Sequence, residues 1–155
     1  MPDGGGRPPC YLRRMDACEL CDSAGGEVLW QDAACRVVRV GGAEGAAFPG
    51  FCRVVWQRHA AELSDLSAAE RRHLLDVVHA VECAVRATMR PDKVNLASLG
   101  NVVPHLHWHV IPRWRDDSHF PAPIWATPRR PAPARAQPAT AVLRAAFGAA
   151  LKGRS

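Results

Sequence analysis

Residues 104–112 read Pro-His-Leu-His-Trp-His-Val-Ile-Pro, and this stretch decides the fold prediction. Side chains alternate between the two faces of a β-strand, so a strand here would place His105, His107 and His109 on one face at intervals of about 6.6 Å. The intervening apolar side chains would then enter the core: Leu106, Trp108 and Val110. Three imidazoles in strict alternation add little stability and repel one another when protonated, which favours a functional role over a structural one.

The sequence on both sides of this stretch predicts a sheet and one long helix. Segments rich in β-branched and aromatic residues, separated by short or Gly-rich connections, favour antiparallel strands. The strands are expected at residues 28–30, 36–40, 51–56, 93–97 and 104–112. Ser67 and Glu70 have the spacing of a capping box, and apolar residues then recur at helical intervals until Pro91, which predicts a helix of about 22 residues. Residues 140–151 could form a short terminal helix.

Length and composition indicate one globular domain with loose ends. The chain has 155 residues, of which 48% are hydrophobic and 23% charged. We expect a flexible lead at residues 1–16, the folded domain at 17–126 and a Pro/Ala/Arg-rich tail at 127–155. No apolar stretch is long enough to span a bilayer, and the first residues lack the apolar core of a signal peptide. These features predict a cytoplasmic protein with no membrane partner.

The net charge of +5 belongs to the C-terminal part of the chain. Residues 113–155 hold eight Lys or Arg and two Asp, whereas residues 1–112 hold twelve bases and thirteen acids. Surfaces that bind nucleic acids usually interleave basic residues with aromatic ones, and a Pro/Ala/Arg tail is not of that kind. We therefore expect a solvated appendage and no nucleic-acid partner.

Cys18 and Cys21, in the sequence Cys-Glu-Leu-Cys, are the only two of the six cysteines with the spacing of a metal-binding pair. Nothing in the chain marks secretion, which argues against a disulfide framework. A single C-x-x-C pair leaves zinc binding, redox chemistry and chance spacing open until further ligands are found.

The alternation of histidine and apolar residues over 105–111 resembles the signature of the histidine triad proteins, which are nucleotide hydrolases and transferases. The resemblance covers about residues 17–115. It includes residues 53–59, which look like a strand and histidine of that family, and residues 65–67, which look like its helix entry. It implies an α+β fold, in which a five-stranded antiparallel sheet carries one long and one shorter helix, and a homodimer with a two-fold axis.

The resemblance also implies a role for each matched residue. His107 would attack the α-phosphorus of a dinucleoside polyphosphate or a nucleoside phosphoramidate, and water would then release the nucleoside monophosphate. This chemistry requires a neutral ring whose other N–H is held by a fixed acceptor, for which a backbone carbonyl is expected. His109 would contact the phosphate or the leaving group. Further nucleotide-binding residues would be Asn95, Gly100 and Asn101.

Zinc-containing relatives, including those like galactose-1-phosphate uridylyltransferase, use a C-x-x-C pair, a histidine after the third strand and the first histidine of the triad. The matching residues here are Cys18, Cys21, His59 and His105. Two thiolates and two imidazoles form a closed tetrahedral set, which is typical of structural rather than catalytic zinc. The resemblance therefore implies a structural Zn²⁺ ion that fixes His105.

One departure from the family keeps other functions open. Many members have Gly-Gln followed by Ser or Thr where this chain has Gly100, Asn101 and Val102, so a hydroxyl that contacts phosphate is missing. Besides the nucleotide hydrolase or transferase, the alternatives are a metal-dependent hydrolase whose three histidines hold a catalytic cation, and a nucleotide-binding module without turnover.

Aromatic residues also occur in the Pro-rich stretch after the histidines. Phe120 and Trp125 are expected to anchor this stretch to the body of the protein or to a partner subunit, because an exposed aromatic segment would form a costly apolar patch. Trp108 is expected to pack in the core rather than to stack on a nucleobase.

Overall fold

The computed structural model of the protein describes residues 18–153, and the expected flexible lead at residues 1–16 lies outside this range. The elements follow one another as α1 (Glu19–Asp22), β1 (Glu27–Gln31), β2 (Cys35–Arg39), α2 (Gly42–Ala47), β3 (Cys52–Trp56), a 3₁₀ turn (Leu63–Asp65), α3 (Ala68–Met89), β4 (Lys93–Ala97), β5 (His107–Arg113) and α4 (Thr140–Lys152).

The five strands form one antiparallel sheet in the order β1-β2-β3-β5-β4. This arrangement confirms the predicted α+β fold and its five-stranded sheet. The expected long helix corresponds to α3, and the terminal helix expected at residues 140–151 corresponds to α4. The resemblance, which covers about residues 17–115, implies one shorter helix, and that range holds two short helices, α1 and α2. Within residues 18–153, no helix combines the length and the apolar character that crossing a membrane would require.

The long helix α3 begins and ends as its sequence predicts. The Ser67 hydroxyl accepts a hydrogen bond from the Glu70 amide at 3.3 Å, and the Glu70 carboxylate accepts one from the Ser67 amide at 2.7 Å. The last helical residue is Met89, and the next residue, Arg90, has a φ of 47° and precedes Pro91. The length of 22 residues is confirmed. One stripe of the helix is buried against the sheet: Leu74, Val77, Val78, Ala80, Val81, Ala84 and Val85.

The alternation of side chains along β3 and β5 separates a packed face of the sheet from a functional face. Val54 and Val110 belong to the main core beneath α3 and α4, and Trp108 packs against the same core, as predicted. The residues of opposite parity point away from this core. They pair across the two strands as Arg53 with His109 and Val55 with His107.

The C-terminal helix α4 is part of the main core, although the tail was expected to be a solvated appendage. Leu143 and Phe147 are buried, and the Phe147 ring meets the Trp30 ring with centroids 5.3 Å apart. Val142, the residue before Leu143, is exposed. The chain that leads into α4 is held by Arg39, whose guanidinium donates to the carbonyl of Pro138 at 2.8 Å.

The start of β5 differs from the prediction. The strand begins at His107 and not at residue 104, so His105 lies outside the regular strand. Pro104 has no N–H to donate to a ladder, and the Leu106 backbone pairs with Trp56 and Ala60 where the chain approaches the sheet. The segment predicted as a Gly-rich turn between the second and third strands contains α2.

Candidate active site

His107 presents one of its two ring nitrogens to a backbone carbonyl. Its Nδ1 lies 2.5 Å from the carbonyl oxygen of His105. A carbonyl oxygen only accepts, so Nδ1 carries the proton, and in a neutral ring Nε2 then keeps its lone pair. The backbone acceptor expected for this histidine is confirmed. The Ser98 hydroxyl donates to the His107 carbonyl at 2.9 Å and holds this end of the strand, a contact that the sequence did not signal.

Burial keeps the two strand histidines uncharged. Removal from water lowers the pKa of His107, and the nearby charge of Arg53 lowers it further. The pKa of His109 falls to about 3, first through burial and then through the charges of His107 and Arg53. The two rings meet edge to face with centroids 4.8 Å apart. Because a protonated imidazole has no lone pair, this environment favours His107 as a nucleophile near neutral pH.

The first histidine of the triad joins a different group of side chains. His105 is fully buried, and its Nδ1 lies 3.3 Å from the Cys18 sulfur and 3.5 Å from the Cys21 sulfur. The Nδ1 of His59 lies 3.4 Å from the Cys21 sulfur. The structure therefore brings together all four residues expected to bind a metal, with ligand atoms within 4.8 Å of one another.

The donor set and its spacing fit a tetrahedral zinc ion. Zinc bonds of about 2.3 Å to sulfur and about 2.0 Å to nitrogen place neighbouring ligand atoms about 3.5 Å apart, close to the separations found here. The Nε2–H of His105 donates to the Trp56 carbonyl at 2.6 Å, which turns Nδ1 toward the two sulfurs. Buried Arg36 also orders this region, because its guanidinium donates to the carbonyls of Leu20 and Ala24 beside α1.

The arrangement of these histidines and cysteines can now be compared with known proteins. A family model described as the HIT domain matches residues 27–116, which is more than half of the chain. The chain belongs to the HIT domain family. Its HIT domain resembles solved histidine triad proteins from Bradyrhizobium japonicum (26% identity, TM-score 0.57, 83% of this chain and 90% of that one) and Marinobacter aquaeolei VT8 (25%, 0.65, 88% and 96%).

Two further similar proteins are a zinc-bound protein and a phosphorylase. A Zn-bound histidine triad family protein from Mycobacterium smegmatis has the same fold, at 20% identity and a TM-score of 0.61, over 89% of this chain and 98% of that one. AP-4-A phosphorylase from two strains of Mycobacterium tuberculosis is 32% identical over 78 residues. That match covers 46% of this chain but only 40% of the relative. The chain therefore matches less than half the length of this relative.

The other predicted nucleotide-binding residues of the HIT domain lie on β4 and in the loop that follows it. Asn95 is opposite Ile111 on β5, and its side-chain oxygen accepts a hydrogen bond from Arg113 at 2.7 Å. Gly100 has a φ of +70°, which suits glycine at this bend, and Asn101 is exposed. The contacts of Asn95, Gly100 and Asn101 with a nucleotide remain predictions. The side-chain oxygen of Asn95 already accepts the hydrogen bond from Arg113.

A buried ion pair organises the segment after β5 in the HIT domain. Arg113 donates to both carboxylate oxygens of Asp117, at 2.7 and 3.0 Å, and to the carbonyl of Ala122 at 2.9 Å. The Asp117 carboxylate also accepts from the amides of His119 and Phe120. We call residues 114–126 the strap, because this network fastens them across the functional face of the sheet.

The strap brings an aromatic residue to the histidines. Ile124 packs in a small core with Phe51 and Ile111, and the ring of the next residue, Trp125, lies 5.1 Å from the ring of His109. Trp125 is 44% exposed and also lines a groove of about 600 Å³ that includes Asn95. The sequence predicted that Trp125 anchors its segment, but it gave no signal for a contact with the third histidine of the triad.

Two groups of three or more clustered potential metal ligands occur within residues 18–153, and neither includes His107 or His109. The second group consists of Asp32, Cys35 and His73. The Asp32 carboxylate accepts from the amides of Ala34 and Cys35 and contacts His73 at 2.7 Å, which braces the β1–β2 turn against α3. Burial, followed by the charge of Asp32, raises the pKa of the Cys35 thiol to about 12. Hydrogen bonding therefore accounts for this second group.

Proposed function

We propose that this protein cleaves nucleotides at the α-phosphate through a nucleotidyl intermediate on His107. The substrate class is a dinucleoside polyphosphate or a nucleoside phosphoramidate. The observation that carries the proposal is the hydrogen bond from His107 Nδ1 to the His105 carbonyl, because it leaves Nε2 as the nucleophilic atom. The similarity to AP-4-A phosphorylase supports the dinucleoside polyphosphate class.

The proposed reaction has two displacements at phosphorus. In the first, the Nε2 lone pair forms a bond to the α-phosphorus while the bond from phosphorus to the leaving oxygen or nitrogen breaks and its electrons depart with the leaving group. In the second, an oxygen of water or inorganic phosphate forms a bond to phosphorus while the bond from phosphorus to Nε2 breaks, its electrons return to Nε2 as the lone pair, and any proton on the attacking oxygen passes to solvent. His109, held neutral by burial, can contact the phosphate or the leaving group as a hydrogen-bonding partner. Nucleotide contacts of Asn95, Gly100 and Asn101 belong to the same proposal.

We further propose that Cys18, Cys21, His59 and His105 hold a structural zinc ion. Four protein ligands close the coordination sphere, so the ion would stabilise the fold and would not activate water. The alternative in which the three histidines share a catalytic cation is less well supported, because His105 faces the two cysteines. A cytoplasmic homodimer remains a prediction, which light scattering would test by giving a mass near two chains.

Trapping the intermediate tests the proposed function. Purified protein is incubated with AP-4-A and with an adenosine phosphoramidate, in water and with added inorganic phosphate, then quenched and examined by intact mass and peptide mapping. We expect an adenylyl group on His107 and release of mononucleotide. His107→Asn should lose both, with turnover falling by about 10³-fold or more. His79→Asn, which changes an exposed histidine on α3, is the matched control and should behave like the wild type.

The same experiment separates the alternatives. Nucleotide binding without an adduct or product would support a binding module. Turnover that disappears with a chelator and returns with metal, in a fold that stays intact and without an adduct, would support a metal-dependent hydrolase. Unchanged turnover in His107→Asn would refute the proposed mechanism.

A further inference from the structure

The functional face of the sheet carries a cation that the triad chemistry does not use. Arg53 lies on β3 directly opposite His109 on β5. Its charge is close enough to both strand histidines to lower the pKa of His107 and of His109. Burial favours the neutral form of both rings, so neither can balance the charge of Arg53, and a charge that is largely removed from water needs an anionic partner.

The charge of Arg53 is only partly balanced by the protein. One terminal nitrogen pairs with the Glu44 carboxylate of α2 at 2.9 Å, and the guanidinium lies over the Phe51 ring at 5.6 Å. The Glu44 side chain is 40% exposed, so its interaction with Arg53 is screened by water. The guanidinium has five N–H donors in a planar fork. The ion pair with Glu44 uses only one of its terminal nitrogens.

Two buried polar atoms at this position lack a partner. Arg53 Nε and His109 Nδ1 are both shielded from solvent, and neither makes a hydrogen bond within the described part of the chain. His109 is itself 95% buried by residue, with 5% of its surface exposed. Burying a polar atom without a partner costs free energy. Arg53 Nε always carries a hydrogen, so the partner it lacks is an acceptor, whereas His109 Nδ1 can donate or accept.

We propose that Arg53 supplies a further anion-binding donor beside His109, where the proposed function places the phosphate of the substrate. A phosphate oxygen is the acceptor that best matches an arginine, because it is anionic and can accept two N–H donors at once. The identification of the anion as substrate phosphate rests on the proposed function. The subsite itself rests on the positions of Arg53 and His109 and on their unpartnered atoms.

Glu44 has a defined role in this subsite. It pairs with Arg53 and aligns the guanidinium, but its carboxylate also competes with an incoming anion for the same donors. Removal of the negative charge of Glu44 should therefore leave phosphate binding intact or strengthen it, whereas removal of the positive charge of Arg53 should weaken it.

The test compares probes with and without phosphate. Isothermal titration calorimetry measures the binding of AMP, adenosine and inorganic pyrophosphate to the wild type, Arg53→Met, Arg53→Lys and Glu44→Gln. We expect Arg53→Met to weaken AMP and pyrophosphate binding by about 10- to 100-fold, the range for one charged hydrogen-bonding partner, and to change adenosine binding by less than about threefold. Arg53→Lys should give intermediate affinity for AMP, and Glu44→Gln should bind AMP at least as tightly as the wild type.

Each outcome decides the proposal. Equal loss of AMP and adenosine binding in a folded Arg53→Lys protein would show a structural role and overturn the phosphate subsite. Unchanged AMP and pyrophosphate binding in either Arg53 variant would also overturn it, as would wild-type protein that binds neither probe. If pyrophosphate binding depends on Arg53 but no adduct forms on His107, the subsite stands and the proposed function fails.

Discussion

The buried, uncharged state of His109 predicts a specific loss of stability in acid. Its pKa is about 3 in the folded protein, against an ordinary value of 6.5 that we assign to the unfolded chain. Below pH 6.5 the unfolded chain therefore binds a proton at this residue while the folded protein does not, so stability falls as the pH falls. The slope approaches about 1.4 kcal/mol per pH unit and lasts until the pH nears the folded pKa.

The size of the effect follows from the two pKa values. The contribution of His109 to the free energy of unfolding should be close to zero at pH 7.5, and should decrease by about 1.4 kcal/mol at pH 5.5 and about 2 kcal/mol at pH 5.0. Urea unfolding of the wild type and of His109→Asn across this range measures it. The variant has a constant cost of its own, but its stability relative to the wild type should improve by these amounts as the pH falls.

Titrating groups that do not contact residue 109 affect both proteins alike and cancel in the comparison, including the cysteines of the proposed metal cluster. A stability difference between wild type and variant that stays constant from pH 7.5 to pH 5.0 would show that His109 is not held neutral by its surroundings. That result would also remove the electrostatic reasoning for His107, since the two rings share the same buried environment.

Three further perturbations address the metal cluster, the strap and the tail. Cys18→Ser should lower the zinc content from about one ion per chain to well below half, as measured by mass spectrometry of the metal. Cys83→Ser changes an exposed residue and should leave the zinc content unchanged. Equal zinc content in the two variants would refute the zinc site. Asp117→Asn leaves buried Arg113 without its anionic partner and should cost about 3–5 kcal/mol in urea unfolding, and a cost below about 1 kcal/mol would mean that the strap does not depend on this ion pair. Phe147→Ala should cost about 3–5 kcal/mol, whereas a solvated tail would give almost no change.

Local sequence signals predicted the elements whose causes lie within a few residues. The capping box at Ser67 and the stop at Pro91 fix the ends of α3, because helix termini are decided by nearby side chains and by the proline ring. The alternation of histidine with apolar residues likewise placed Val110 in the core and His107 and His109 on the opposite face of β5. These patterns depend only on the geometry of one helix or one strand.

The buried arginines were not predicted, because their partners are distant in sequence. Arg36 and Arg113 have the appearance of surface residues within strands, yet both are buried and satisfied by carbonyl, amide or carboxylate oxygens of other segments. A charged residue is buried only when such partners exist, and neither the spacing of residues nor the composition of the chain predicts which distant oxygens will be its partners. The core position of α4 was not predicted for a related reason. A Pro/Ala/Arg-rich segment precedes this helix, and only a few of its residues, such as Leu143 and Phe147, are buried in the main core.

The displacement of His105 from the strand shows how a deviation from the simple pattern can serve the site. If the strand had begun at Pro104, the His105 ring would project beside those of His107 and His109. Instead, the Nε2–H of His105 donates to the Trp56 carbonyl, and its Nδ1 faces the two cysteine sulfurs. The backbone carbonyl of His105 accepts a hydrogen bond from Nδ1–H of His107. One residue thus connects the proposed metal cluster to the proposed nucleophile, through its ring on one side and its backbone carbonyl on the other. A structural ligand set can in this way determine which nitrogen of His107 is available for reaction without contacting the substrate.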